Sequence, residues 1–269
     1  MNLTNKHNCP LLRFFNLSEQ NEITHFVSTR QGGYSRGDYE SLNLSFTVGD
    51  EPGHVKKNRE ALAKAVGISP GKFVFQNQQH SNKVRIANPY DCKNFAEHTY
   101  SFNDSDALVT NRKGICLFVF AADCVPVLLF DKKEKVIAAV HSGWRGTVKK
   151  ILQHTLAAMK ENFGSRAENI LAGIGPAVRQ ENYEVGGEVA DAFYEVYGHV
   201  AQDFISTPKG KKEHLNLYAA NHYLLRQFGV PDTQIEISEY CTYENSELLF
   251  SARRKMRSGR FGAGIMLLD

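Results

Sequence analysis

Two imidazoles and one thiol carry most of the chemistry this chain offers. They are His80, Cys124 and His141, in the segments QNQQHSNKV, FAADCVPVLLF and AAVHSGWRGT. Two nitrogen donors and one thiolate are the ligand set of a catalytic zinc site that keeps its fourth position open. A structural zinc site would want a fourth protein ligand, usually from closely spaced cysteines, and the chain has no CxxC pair. Without a metal, the same residues make a Cys-His nucleophilic pair. The residues alone leave both chemistries open.

Each segment has features that suit a site. Cys124 follows Asp123 and precedes Pro126 inside an apolar run, a combination that marks a strand end or bulge. Asp123 is a catalytic candidate as the acid that protonates a leaving group, although strand alternation would turn its side chain away from Cys124. His141 leads into Gly143-Trp144-Arg145-Gly146-Thr147, with the only Trp of the chain. Glycines let a backbone approach a ligand, a helix N-terminus attracts anions, and Arg145 can grip phosphate or carboxylate in two-pronged fashion. The spacing is not that of a Walker loop. Arg30 and Asn43 lie in the turns Thr29–Gly33 and Ser41–Leu44, and Arg59 lies inside a helix. The segment from Ser251 through Arg253 to Arg260 carries five positive charges and could form a phosphate-binding rim.

The elements that must position these residues are legible from periodicity. Apolar spacing predicts a helix over Pro52–Val66, ended by Gly67, and a strand over Lys72–Gln76 that delivers the His80 loop. Ala107–Thr110, Ile115–Ala121, Val125–Phe130 and Val136–Val140 read as strands covered on both faces, with a charged hairpin turn at Asp131–Glu134. A helix capped by Thr147 runs to about Glu161, with others over Glu188–Tyr197 and Leu217–Phe228. Further strands are expected at Ile170–Ile174, Ile235–Ile237 and Leu248–Ser251.

The totals narrow the function class. The chain has 269 residues, 42% apolar, with 32 basic and 29 acidic side chains for a net charge of +3. That balance does not suggest nucleic-acid binding. Five irregularly spaced cysteines argue against a disulfide framework and for a reducing compartment. The first residues lack a signal-peptide layout. The longest apolar stretch, Ile115–Phe130, is shorter than the roughly 20 residues a membrane span needs and contains Asp123. A cytoplasmic protein with no membrane partner is expected.

Taken in order, TRQGGYSRGDYESLNLSFTVGDEP, Asn58-Arg59, QQHS, SDALVT, ADCVPVLL, AAVHSGWRGT, YEVGGEV and FSARR…GR resemble the YfiH-type "laccase-domain" family. The resemblance runs from about Thr29 to Ile265, and ADC-PVLL paired with HxGWRG is its most specific part. It implies a single domain over 1–269, α/β (α+β), layered α/β/β/α with mixed sheets, akin to the cytotoxic-factor/YfiH-like fold. The N-terminal ~20 residues would be peripheral. It implies zinc on His80, Cys124 and His141, purine nucleoside phosphorylase activity, and adenosine deaminase activity. Purine nucleosides and phosphate would be the partners, with Arg145, Arg59, Asn43, Arg30, Ser251 and Arg253 contacting them, and a monomer is expected. The chain departs from the family pattern at Ser81 (usually Gly), Ser142 (usually Ala) and Asn182 (usually Cys), and lacks the Asp-Gly pair that usually follows Arg254. None of these removes a proposed ligand.

Two other activities are consistent with the trio. One is a metal-free amidase acting on peptidoglycan precursors, with Cys124 as nucleophile and His141 as base. The other is a copper phenol oxidase, against which stands the absence of HxH and HCH groupings. A non-enzymatic binding module is disfavoured by the convergence of metal-type residues.

Overall fold

The apolar runs do form strands, and the computed structural model, which describes residues 1–208 and 212–269, arranges them in two large sheets. In chain order the strands are β1 (Asn2–Lys6), β2 (Cys9–Arg13), β3 (Ile23–Ser28), β4 (Phe73–Phe75), β5 (Val84–Ile86), β6 (Ala107–Thr110) and β7 (Cys116–Ala121). There follow β8 (Val125–Asp131), β9 (Val136–Ser142), β10 (Ile170–Ile174), β11 (Ile205–Ser206), β12 (His214–Leu215), β13 (Ile235–Ile237) and β14 (Phe261–Leu267). The first sheet runs β1-β2-β3-β14-β7-β4 and the second β13-β10-β8-β9-β6-β5, while β11 and β12 pair alone. Both large sheets are mixed: β4 is parallel to β7, and β5 to β6, among antiparallel neighbours.

The helices are α1 (Phe15–Ser18), α2 (Pro52–Val66), α3 (Trp144–Val148), α4 (Ile151–Phe163), α5 (Gly187–Tyr197) and α6 (Leu217–Phe228). Side-chain parity fixes the layers, because alternate residues of a strand face opposite ways. On β7, Leu117 and Val119 pack between the sheets, while Cys116 and Phe118 face α2 through Leu62 and Ala63. On β8 and β9, Leu128, Phe130, Ile137 and Ala139 meet the first sheet, while Val127, Leu129, Ala138 and Val140 meet α4, α5 and α6. This is the α/β/β/α stack expected. Each buried Leu, Ile or Phe contributes about 1.5–3 kcal/mol, which is why the strands read as continuous apolar runs. The β8–β9 hairpin is tightened by Asp131, whose Oδ1 accepts from the Lys133 and Glu134 amides at 2.9 and 3.1 Å.

Three expectations need correction. The N-terminal residues are not peripheral: β1 and β2 extend the first sheet, and Cys9, Leu11, Leu12, Phe14 and Leu17 are fully buried. Thr147 is not a helix N-cap. Gly143 caps a five-residue helix, the Thr147 hydroxyl donates back to the Gly143 carbonyl at 3.0 Å, and left-handed Lys150 (φ 58) separates α3 from α4. Leu248–Ser251 is not a strand, because the Leu248 and Leu249 amides turn back onto the Asn245 carbonyl.

Candidate metal centre

Strand parity brings the trio together. Val140 and Val125 face the helices, while His141, the next residue of β9, and Cys124, just before β8, line one cavity. Cross-strand register sets Pro126 opposite His141, leaving Cys124 beside the Gly143 turn. The loop from β4 to β5 passes from one sheet to the other and carries His80 across the same gap. Gln78 pins that loop to β7, its Nε2 donating to the Phe120 carbonyl and its Oε1 accepting from the Phe120 amide.

The ligand atoms of His80, Cys124 and His141 lie within 4.8 Å of one another, and Cys124 Sγ is 3.8 Å from His80 Nε2. A tetrahedral ion with metal–sulfur and metal–nitrogen bonds of normal length would set such atoms roughly 3.6 Å apart. The arrangement therefore fits a metal. Among the described residues it is the one cluster of this kind. Gly143 is part of it: a Cβ there would stand 2.7 Å from Cys124 Sγ and 3.0 Å from His80 Cδ2, so only glycine leaves the ligands room.

Asp106, which immediately precedes β6, organises both histidines, a role the sequence reading missed. Its Oδ1 is 2.9 Å from His141 Nδ1 and accepts from the His80 amide at 3.0 Å. Its Oδ2 accepts from the amides of Gln79 and Ser81 and from the Ser81 hydroxyl. Locking Nδ1 leaves His141 Nε2 facing Cys124, the usual outer-shell device for a ligating histidine. Burial resists ionisation of Asp106, yet the His141 and Ser81 contacts hold it down to about 2. Burial also acts against the Cys124 thiolate, but His141 and His80 outweigh it and the thiol is pushed down to about 6. Burial opposes the His141 imidazolium, while Cys124 and Asp106 raise that group to about 9. The metal-free pair is thus thiolate beside imidazolium, and a metal would displace the imidazolium proton.

The trio lines a cavity of about 370 Å³, shared with Ser45, Thr47, Gln76, Tyr100, Phe120 and Arg260. Most of the other expected contact residues serve the scaffold. Arg59 is buried and gives its donors to the carbonyls of Leu44, Phe95 and Glu97, with Phe46, Phe75, Phe95 and Phe120 around its guanidinium. Arg30 is spent on the carbonyls of Glu40 and Ser246. Asn43 is buried and ties Ser45 to the Arg260 amide, so it shapes the cavity without lining it. The Ser251 hydroxyl accepts from the Arg254 amide. Both Asp123 oxygens are engaged elsewhere, accepting from the Thr242 hydroxyl at 2.6 Å and the Arg253 amide at 2.7 Å. Arg253 itself is exposed and bonds the Glu184 carbonyl. Arg145 is exposed, lies over Trp144 at 4.2 Å, and has no carboxylate partner among the described residues. Arg260, read only as one charge in a run, is the one arginine lining the cavity.

The chain resembles known proteins along nearly its whole length. The family model described as "Multi-copper polyphenol oxidoreductase laccase" matches residues 24–268. A relative from Bacteroides thetaiotaomicron named purine nucleoside phosphorylase is 39% identical over 259 residues, covering 96% of each chain. A relative from an unknown prokaryotic organism named adenosine deaminase RL5 is 34% identical and covers 89% of this chain and 92% of its own. The crystal structure of the Bacillus licheniformis hypothetical protein YfiH superposes with a TM-score of 0.91 at 29% identity, covering 98% of each chain.

Proposed function

This chain belongs to the multi-copper polyphenol oxidoreductase laccase family, and we propose that within it the protein is a zinc-dependent purine nucleoside phosphorylase that also deaminates adenosine. The observation that carries the reading is the three-ligand cluster held by Asp106 at the wall of a cavity large enough for a nucleoside. His80, Cys124 and His141 would hold the ion. Zinc bound there would supply Lewis acidity and an activated water for attack at C6 of adenine. The names of the relatives support the two reactions.

The chain's own residues supply the rest. Arg260 donates through Nη1 to the carbonyls of Ser258 and Gly259, which fixes its guanidinium at the cavity wall. With the Ser45 and Thr47 hydroxyls it forms a polar wall suited to phosphate or ribose. Arg145 and Arg253 supply further positive charge from the exposed rim. In phosphorolysis the C1′–N9 bond breaks, a phosphate oxygen bonds C1′, and the departing base takes up a proton. Tyr100 and Phe120 give the cavity aromatic walls for a base. The unpaired cysteines suit an enzyme of a reducing compartment such as the cytoplasm.

Cys124, His141 and Asp106 also form a thiol–imidazole–carboxylate line, which favours the amidase as second reading. His80 argues against it, since such a line has no use for a second imidazole at 3.8 Å from the sulfur. Copper phenol oxidation would need further histidine clusters, and among the described residues the trio stands alone. The deciding test is product analysis of adenosine incubated with and without phosphate. Ammonia and inosine are expected in both, and free base with sugar phosphate only with phosphate. Untouched adenosine together with amino-acid release from a peptidoglycan precursor would establish the amidase.

A further inference from the structure

Gln76 is buried to 1% exposure at the wall of the cavity that holds the trio, and neither its Nε2 nor its Oε1 has a hydrogen-bond partner among the described residues. A buried amide with both atoms unpaired is costly, and native folds keep such groups rarely. Its near neighbour Gln78 shows the alternative, with both amide atoms committed to the Phe120 main chain. The difference is what each faces: Gln78 ties a loop to β7, whereas Gln76 follows β4 directly and adjoins the space beside Tyr100 and Phe120.

We propose that Gln76 is the specificity-determining residue that reads the six-position edge of the purine, turning its amide over to take either a 6-amino or a 6-oxo base. The inference rests on the purine reading above and adds the residue that selects the base. A carboxamide offers one donor side and one acceptor side. Adenine presents the N6 donor next to ring-nitrogen acceptors, and hypoxanthine presents the N1–H donor next to the O6 acceptor. The two patterns are reversed along the N1–C6 edge, and a half-turn of the amide matches one or the other. Two-pronged pairing of a glutamine amide with adenine is established on the N6/N7 edge, and the N1/N6 edge offers the same donor beside an acceptor. No hydrogen bond to the described residues holds the Gln76 amide in one orientation. One pocket would then accept adenosine and the inosine that its deamination leaves.

The test is kcat/KM for phosphorolysis of adenosine, inosine and purine riboside, which bears only hydrogen at C6. The zinc-loaded wild type is compared with Gln76→Leu and, as the gentler change, Gln76→Met. Loss of the paired hydrogen bonds should lower adenosine and inosine by about tenfold, mainly through KM, and purine riboside by about threefold at most. The melting temperature of the nucleoside-free protein should not fall, because the substitutions remove unpaired buried groups. Equal losses on all three nucleosides, or no loss on any, would overturn the assignment of Gln76 while the purine reading stands. A melting temperature lowered alongside equal losses would make Gln76 a packing residue. A wild type that splits none of the three would overturn the purine reading, and this inference with it.

Discussion

Asp106 is the residue on which the metal centre depends most outside the ligands themselves. One carboxylate accepts from the Gln79, His80 and Ser81 amides and the Ser81 hydroxyl while orienting His141. Asp106→Asn puts an NH2 group among those donors, so zinc affinity should fall roughly 10–100-fold, measured by competition with a chelator. Unchanged affinity would remove Asp106 from the site. Gly143→Ala should be as damaging, because its Cβ would meet Cys124 Sγ at 2.7 Å. Elemental analysis should find far less than the one zinc per chain expected of the wild type. Arg145→Ala should weaken phosphorolysis more than deamination, by roughly 1.5–3 kcal/mol, since phosphate is a substrate of the first reaction alone. Equal losses would make Arg145 structural. The three candidate ligands were legible because each sits in polar or glycine-bearing words that no buried strand needs, and they do come together. Asp106 was not, because an acid before a strand reads as a solvated turn. Arg59, Arg30 and Asn43 were misplaced for the opposite reason: a polar residue beside a motif can satisfy main-chain carbonyls as readily as a ligand.

At the scale of elements, boundaries followed periodicity wherever packing decides them. α2, α6, β6, β10 and β13 have the expected ends. The short α3 did not follow it, because Lys150 takes a left-handed conformation that no pattern of apolar residues announces. Arg59 shows what the buried face of α2 holds together: three carbonyl contacts reach Leu44, Phe95 and Glu97 from one guanidinium. Arg59→Met should therefore cost roughly 2–4 kcal/mol in chemical denaturation, and an undiminished stability would contradict that role. His25 on β3 accepts the Phe14 amide at 2.9 Å and must be neutral to do so. Burial first, and then Arg13, push its pKa down to about 3 from 6.5. The unfolded chain therefore binds the extra proton between those values, and stability falls as pH drops from about 6.5 towards 3, by at most about 1.4 kcal/mol per pH unit from this residue. His25→Gln keeps an acceptor without the titration. Its melting temperature should decline less steeply between pH 6.5 and 4 than that of the wild type, and parallel curves would rule His25 out.

The whole molecule is a two-sheet stack whose functional end is the seam between the sheets. Several elements add a part: β9 gives His141, the residues just before β6 and β8 give Asp106 and Cys124, and the crossing loop gives His80. The first sheet gives Phe120, and the loop leading into β14 gives Arg260. This seam could not be read from any one segment, because it forms only when β4 and β5 stand at the edges of different sheets. The layering itself was legible through the family resemblance and agrees with the superposition on the Bacillus licheniformis structure. The place of β1 and β2 was not, since their residues lie before the motifs. Whether the trio holds zinc for purine nucleoside chemistry is decided on inosine. Zinc-loaded wild type and Cys124→Ala are each incubated with inosine, with and without phosphate, and the products separated by chromatography. Hypoxanthine and ribose-1-phosphate are expected from the wild type only when phosphate is present, and little or none from the variant. Inosine left intact by the zinc-loaded wild type in phosphate, or split equally well by Cys124→Ala, would contradict that expectation.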